Sequence, residues 1–133
     1  NGILEKYDPK NRDFKPSDEF MSKLKSKDWG RWAVAMPSGK KAVAPPYGSA
    51  PVGSMPADFL TDNDITGGNS GSPVLNAEGK VIGLAFDGNK ESLASDLYAV
   101  PDYNKCVCVD IRYVLWTLDK YAGMSRIIEE LGL

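Results

Sequence analysis

The chain has 133 residues, of which 42% are hydrophobic and 26% charged, as expected for one soluble globular domain with a single core. Sixteen basic and eighteen acidic side chains are interspersed and give a net charge of -2, which argues against a nucleic-acid partner. No run of about 20 apolar residues is present, so no membrane span is predicted.

Residues 1–58 predict a helix followed by a proline-rich loop. The sequence begins at Asn1 with neither a starting methionine nor a signal peptide, so we expect the chain to be a piece or processed product of a longer protein. Ser17 can cap an amphipathic helix that we expect to end near Gly30. Five prolines in residues 36–58 predict a long surface loop, which is either a connector or a loop on the substrate side.

Residues 59–109 predict β structure. Residues 73–75 and 80–86 are apolar apart from Lys80 and flank the turn sequence Asn-Ala-Glu-Gly at 76–79, a pattern typical of a β-hairpin. Another strand is predicted at residues 105–109. These residues form the predicted β portion of the domain.

The only two cysteines, Cys106 and Cys108, lie in the last of these strands. Alternate residues of a strand point to the same face, and a disulfide between such close neighbours is geometrically awkward. We therefore expect two buried free thiols. With no histidine and no further cysteine, the sequence predicts no metal site.

Residues 110–133 predict helices. Asp110 can cap a helix whose apolar residues recur at helical spacing, with Gly123 as its stop, and a short helix is expected over residues 125–131. Strands followed by helices, without βαβ alternation, favour a mainly antiparallel β domain decorated by helices.

Residues 66–74, Thr-Gly-Gly-Asn-Ser-Gly-Ser-Pro-Val, match the nucleophile loop of chymotrypsin-like peptidases. Glycine at 68 allows a tight turn in which the amide N–H groups of Gly68 and Ser70 converge on a developing oxyanion, while Ser70 attacks. The alternative is a Gly- and Ser-rich hairpin loop without chemistry. Asn69 stands where trypsin-like zymogens carry an aspartate, which argues against activation by a newly cut amino terminus.

Residues 60–74, 82–89 and 109–116 together resemble the bacterial serine dipeptidyl-peptidases seven and eleven. The resemblance implies the second β-barrel of a chymotrypsin-like double barrel plus C-terminal helices, with the triad histidine and aspartate in the other barrel. It implies removal of dipeptides from peptides with a free amino terminus, no cofactor, and a location in the periplasm or cell envelope. The expected partners are peptides and the first barrel and helical insertion of the parent chain, with a second copy of the protein as a further candidate.

The same resemblance assigns the site residues. Ser70 becomes the nucleophile, Gly68 an oxyanion donor, Asp87 the partner of the substrate α-amino group and Gly88 a wall of the S1 pocket. Thr66 and Phe86 complete the expected substrate contacts. Glycine at 88 is typical of the dipeptidyl-peptidase seven branch and predicts hydrophobic P1 residues, since the acidic-specific branch carries arginine there. The alternative interpretations make Asp87 an exposed turn residue and Gly88 a turn glycine with positive φ.

Three further sets of residues are weaker candidates. The tryptophans could line a cleft but are more often core, and paired aspartates in a polar loop usually remain solvated. A lysine could serve as the base of a Ser–Lys dyad, although no spacing demands it. The residues concerned are Trp29, Trp32 and Trp116, then Asp62 and Asp64, then Lys80 and Lys90.

Two other functions compete with the dipeptidyl-peptidase hypothesis. One is a trypsin-like endopeptidase domain of another family, and the other is a noncatalytic binding module with the same fold. Because the chain has no histidine, we expect it to be inactive by itself.

Overall fold

The computed structural model describes residues 16–34, 50–94 and 102–133, so most of the proline-rich loop and the polar start of the chain lie outside the described residues. Four strands form one antiparallel sheet with the order β1-β4-β3-β2. The strands are β1 (Asp58–Thr61), β2 (Pro73–Leu75), β3 (Val81–Gly88) and β4 (Cys106–Asp110).

Three α-helices and three shorter helical turns accompany the sheet in these ranges. None of the helices is both long and apolar enough to cross a membrane. The α-helices are α1 (Asp18–Ser26), α2 (Ile111–Trp116) and α3 (Ser125–Glu130), and the turns are the 3-10 segments Gly30–Trp32 and Lys90–Ala94 and the π turn Thr117–Tyr121.

Helix α1 begins as predicted and ends earlier than predicted. The Ser17 hydroxyl accepts the amide N–H of Phe20 at 3.1 Å, which confirms the cap. Lys27 takes the left-handed conformation at φ 52° and donates its N–H to the Leu24 carbonyl, so the helix stops before Gly30. The early stop allows the chain to turn and bury Trp29.

Asp110 caps α2 as predicted and also forms an ion pair that the sequence did not predict. Its Oδ1 accepts the Arg112 amide N–H at 2.9 Å, and its two oxygens accept Nε and Nη2 of the Arg112 guanidinium at 2.9 and 2.6 Å. Asp110 is only 2% exposed, so this bidentate pairing satisfies a buried charge. The π turn continues α2, and Gly123 at φ 63° ends it, as expected.

The β2–β3 hairpin is confirmed. The Asn76 side chain accepts the amide N–H groups of Glu78 and Lys80, at 3.0 and 2.9 Å, and so shapes the turn. The sheet is open, however, and no barrel closes within the described ranges. Closure would require β1 and β2 to pair with each other, but these short strands are the two edges, with β4 and β3 between them.

Most of the buried apolar residues in the described ranges fall into two hydrophobic clusters rather than the single expected core. A helical cluster contains the three tryptophans, which confirms them as core residues, and a sheet cluster lies against the strands. The helical cluster is Trp29, Trp32, Met55, Leu115, Trp116 and Ile128, and the sheet cluster is Phe59, Val74, Ala85, Cys106 and Cys108.

Gly83, in the middle of β3, occupies a position where no side chain fits. A Cβ there would lie 2.5 Å from the Val109 carbonyl oxygen and 2.6 Å from the buried Phe59 ring. Neither neighbour can move without disturbing the sheet, so we expect Gly83→Ala to lower the free energy of unfolding by about 2–3 kcal/mol. Urea denaturation measures this loss.

The matched control is Gly67→Ala, because a Cβ at Gly67 meets nothing within 4 Å and its φ is not left-handed. Its free energy of unfolding should change by roughly 0.5 kcal/mol or less. Equal stability of the two variants would contradict the steric argument at Gly83.

Candidate active site

The loop before β2, residues 66–72, is held in one conformation by its own hydrogen bonds. The amide N–H of Thr66 donates to Oδ1 of Asn69 at 2.9 Å, and the amide of Asn69 donates back to the Thr66 carbonyl at 3.1 Å. Gly68 and Gly71 have φ values of 98° and 90°, where a Cβ would be strained. The glycines of the motif are therefore required by the turn itself.

Ser70 lies at the point where this loop joins the sheet. The next residue, Gly71, donates its N–H to the Ala85 carbonyl at 2.6 Å, and the Ala85 amide donates to the Ser72 carbonyl at 2.9 Å. Ser70 itself is exposed, and its hydroxyl donates to the Phe86 carbonyl at 3.3 Å. The hydrogen-bonded ladder between β2 and β3 thus places the exposed Ser70 hydroxyl at its end.

A β-bulge in β3 lies opposite this serine. Ala85 pairs with Cys108 while Asp87 pairs with the adjacent Val107, so Phe86 is an extra residue in the strand. A bulge of this kind leaves its extra residue outside the regular ladder and re-aims neighbouring side chains. The Phe86 carbonyl accepts the Ser70 hydroxyl, and Phe86 as a whole is 48% exposed.

Two amide donors in the loop face no protein acceptor. Within the part of the chain that the structure describes, neither Gly68 nor Ser70 donates its backbone N–H to another residue, whereas the amide of Asn69 between them is used. Unengaged N–H groups beside a nucleophile are what stabilisation of an oxyanion requires. The role of Gly68 as an oxyanion donor stays a prediction.

Asp87 and Gly88 follow Phe86 in the same strand. Asp87 lies in β3 rather than in a turn; its side chain is exposed, with Oδ1 accepting the Gly88 amide N–H at 2.8 Å. The φ of Gly88 is not in the left-handed region, so the turn-glycine interpretation is wrong. The structure therefore brings Ser70, Phe86, Asp87 and Gly88 to one end of the β2–β3 hairpin.

The weaker polar candidates lie elsewhere. Asp62 forms an ion pair with Lys105, so it is engaged within the protein. Lys80 lies in the hairpin turn, at the opposite end of β2 from Ser70. In the described ranges no lysine, Lys90 included, hydrogen-bonds the Ser70 hydroxyl, and a Ser–Lys dyad is absent from them.

The model of the family described as Peptidase S46 matches residues 1–133. This chain belongs to the peptidase S46 family. It is 45% identical to Dipeptidyl-peptidase 7 of Phocaeicola vulgatus over 132 residues, and 38% identical to the Asp/Glu-specific dipeptidyl-peptidase of Porphyromonas gingivalis over 133 residues. These alignments cover 99% and 100% of the chain but 16% of each relative, so the chain spans about one-sixth of their length.

The fold agrees with this family. DPP11 of Porphyromonas endodontalis, solved in complex with substrate, matches 97% of the chain and 16% of its own length, at a TM-score of 0.76 and 37% identity. The same protein in complex with the dipeptide Arg-Glu matches equally well. The resemblance predicted from the sequence is thereby confirmed, and the open sheet of the S46 chain corresponds to part of the DPP11 structure.

Sequence reasoning missed the residues that hold the site of this S46 chain together. The sequence assigns Asn69 no structural role, although Asn often accepts backbone N–H groups in tight turns and the spacing of Asn69 from Thr66 is a usable signal. Asn89 gave no such signal. Its side chain binds the Tyr103 carbonyl and the Lys105 amide, 14 and 16 residues further on, and local sequence does not show such contacts.

Cys106 and Cys108 of the S46 chain are buried free thiols, as predicted. Their sulfur atoms lie 3.5 Å apart and both residues are 0% exposed. Burial, reinforced by the hydrogen bond with Cys106, raises the pKa of the Cys108 thiol from its ordinary value near 9 to about 11. Across the described ranges no three His, Cys, Asp or Glu side chains are grouped to hold a metal ion.

The raised pKa of Cys108 predicts a stability change at alkaline pH. The folded state binds this proton more tightly than the unfolded state, so its contribution is complete below pH 9 and is lost between about pH 9 and 11. We expect the free energy of unfolding of the wild type to fall over this range more steeply than that of Cys108→Ala. If the free energies of unfolding of the two proteins change with pH in the same way from pH 8 to 11.5, the assignment is wrong.

Proposed function

We propose that this chain is the nucleophile-bearing part of a longer serine dipeptidyl-peptidase, which releases dipeptides with a hydrophobic P1 residue from peptides with a free amino terminus. The observation that carries the proposal is the exposed Ser70 hydroxyl, anchored by the β3 ladder beside the two unengaged amides of Gly68 and Ser70. The family relatives that are named dipeptidyl-peptidases support the reaction class. We place the enzyme in the periplasm or cell envelope.

In the proposed mechanism Ser70 Oγ attacks the carbonyl carbon of the second peptide bond of the substrate. Because this chain contains no histidine, the hydroxyl proton passes to a base that lies outside it. The amides of Gly68 and Ser70 stabilise the oxyanion, the leaving amine takes a proton, and an acyl-enzyme remains on Ser70. Water then attacks the ester carbonyl and releases the dipeptide.

We propose that the missing base and its orienting carboxylate lie in the remainder of the longer chain, on a first β-barrel. The four-stranded sheet described above would form part of a second barrel. Within the described ranges β1 and β2 are its edge strands, and Leu60 and Leu75 on them are 54% exposed each. Apolar side chains in such positions are suited to packing against neighbouring chain.

Asp87 explains selection for a free amino terminus. Its carboxylate is exposed, follows the carbonyl that binds Ser70, and has Oδ2 without a protein partner in the described ranges. A carboxylate at a fixed distance from the nucleophile pairs with an ammonium group and so sets the cleavage position. We assign the remaining substrate contacts to Thr66, which begins the loop, and to Phe86, at the bulge of β3.

Labelling of Ser70 by a fluorophosphonate tests the nucleophile. We expect rapid labelling of the full-length protein that contains this chain and none of its Ser70→Ala variant. The isolated 133-residue chain should label extremely slowly, because loss of triad members costs on the order of 10⁶ in turnover. Stoichiometric labelling of the isolated chain would restore the lysine-base hypothesis, and an unreactive full-length protein would favour a noncatalytic module.

Replacing Asp87 tests the amino-group anchor. In the full-length protein Asp87→Ala should reduce kcat/KM for free dipeptidyl substrates by roughly 30-fold or more, as expected for a charge pair covered by substrate. Asp64→Ala, at another exposed aspartate, is the control and should retain activity. Unchanged kcat and KM in Asp87→Ala would remove Asp87 from the site, and cleavage of substrates with blocked amino termini would favour an endopeptidase.

Substitutions of Gly88 test the proposed preference for hydrophobic P1 residues. A pocket wall without a side chain leaves room for a large apolar P1 group and offers an acidic one no charged partner. The wild type should therefore prefer Leu, Met, Phe or Tyr over Asp and Glu. Gly88→Arg should shift kcat/KM towards Asp and Glu, whereas Gly88→Met should only weaken cleavage after large residues. A wild-type preference for Asp or Glu would overturn this assignment.

A further inference from the structure

Asn89 follows β3 directly and uses every hydrogen-bonding group of its side chain. Its Oδ1 accepts the amide N–H of Lys105 at 2.9 Å and the Ser92 hydroxyl at 2.5 Å. Its Nδ2 donates to the Tyr103 carbonyl at 2.6 Å and to the Glu91 carboxylate at 2.8 Å. A carboxamide offers both acceptor positions and donor hydrogens, so neither Asp nor Leu, which have a similar size, could make all of these bonds.

The side chain of Asn89 takes the place of a backbone carbonyl in the ladder between β3 and β4. The register of the two strands places Asn89 opposite Lys105. In a hydrogen-bonded antiparallel pair, each residue donates its N–H to the carbonyl of the other. Here the Asn89 amide donates to the Lys105 carbonyl at 2.9 Å, whereas the Lys105 amide donates to Asn89 Oδ1. The backbone carbonyl of Asn89 accepts the Ser92 amide at 3.0 Å, so the chain can turn while the side chain closes the pair.

The end of β3 that carries Asp87 depends on β4 for its place. Up to Ala85, β3 is bonded on both sides, to β4 and to β2 with the nucleophile loop. Beyond the bulge, its strand pairing in the described ranges is with β4 alone. The 3-10 turn after Asn89 packs against the same end, since a Cβ built on Gly88 would lie 3.2 Å from Cβ of Ser92. The bonds of Asn89 therefore hold both β4 and this turn against the end of β3.

We propose that Asn89 is a positioning residue for the Asp87 carboxylate. The proposal rests on the function proposed above, in which Asp87 binds the substrate amino group at a fixed distance from Ser70. Asn89 acts through the end of β3 and requires no contact with the substrate. Because Ser70 is attached to β3 through Ala85, on the other side of the bulge, loosening the strand end should weaken the amino-group anchor and leave the nucleophile intact.

The test compares two reactions of the full-length protein, of which only one involves a substrate amino group. Asn89→Ala should raise KM for free dipeptidyl substrates about 10-fold and change kcat by less than about 3-fold. Labelling of Ser70 by a fluorophosphonate, which has no amino group, should keep its rate to within about 2-fold. Lower stability alone would reduce the labelled amount and the maximal rate together and would leave KM unchanged. An unchanged KM, or a labelling rate that falls as much as kcat/KM, would overturn the proposal.

Asn76 is the matched control, because its side chain has the same role at the turn between β2 and β3. Its amide donates to the Lys80 carbonyl and its Oδ1 accepts the Lys80 amide, both at 2.9 Å, while its backbone carbonyl accepts the Gly79 amide at 3.0 Å. This turn lies at the opposite end of β2 from Ser70. Asn76→Ala should lower the thermal midpoint without raising KM. A rise in KM equal to that of Asn89→Ala would attribute the effect to any weakened turn and overturn the proposal.

Exchanging the amide and the carboxylate tests the hydrogen bonds themselves. The double variant Asn89→Asp with Glu91→Gln keeps the local charge and both acceptor bonds, and reverses the direction of the bond between positions 89 and 91. It loses the bond to Tyr103, so KM should return to within about 3-fold of the wild-type value. A KM as high as that of Asn89→Ala would contradict the role of Oδ1.

Asn89→Ser makes the test independent of whether the alanine variant folds. A hydroxyl can replace only part of the bonds of the carboxamide, so the same separation of KM from labelling should appear, with KM raised about 3-fold. A folded serine variant with the KM of the wild type would overturn the proposal.

The two hypotheses fail in different ways. A full-length wild type that cleaves no free dipeptidyl substrate overturns the proposed function, and the claim about Asn89 with it. An active wild type that is unaffected by Asp87→Ala removes the anchor and therefore also its positioning residue. If Asp87→Ala impairs cleavage and the Asn89 variants leave KM unchanged, only the claim about Asn89 is wrong.

Discussion

The backbone hydrogen bonds between Ala85 and the pair Gly71 and Ser72 determine the geometry of the whole site. They extend the β2–β3 ladder up to the residue after Ser70, so the serine has a fixed place relative to β3. On its other side Ala85 pairs with Cys108 of the central strand β4. The nucleophile loop leads into the edge strand β2 and is therefore held by hydrogen bonds to the inner strand β3.

Because of the bulge at Phe86, β3 contributes residues both to the core and to the site. In a regular strand Ala85 and Asp87 would point to the same face. The extra residue changes this, since Ala85 is buried in the sheet cluster whereas Asp87 is exposed. One strand thus supplies a core residue, an acceptor for the Ser70 hydroxyl and an exposed carboxylate within three successive positions. Bulges beside catalytic groups commonly re-aim side chains in this way.

Two buried or partly buried polar networks connect the sheet to the rest of the chain. Asp110 stands at the end of β4 and at the start of α2, and its pairing with Arg112 lies at the junction of the sheet with the helical cluster. Asn89 plays a comparable part at the other end of β4, where it links the end of β3 to Lys105. Because a broken buried charge pair or amide network is strongly destabilising, both networks restrict the possible movements of β3 and β4.

The sequence by itself determined the local features: the Ser17 and Asp110 caps, the β2–β3 hairpin, the nucleophile loop and membership of the peptidase family. The caps, the hairpin and the loop each depend on residues a few positions apart, whose conformational preferences act within one turn or one strand. The tertiary structure alone decided the early end of α1, the open sheet with two hydrophobic clusters, the bulge at Phe86 and the contact between Gly88 and Ser92. These features arise from packing and hydrogen bonds between distant segments, and the local pattern is compatible with several such arrangements.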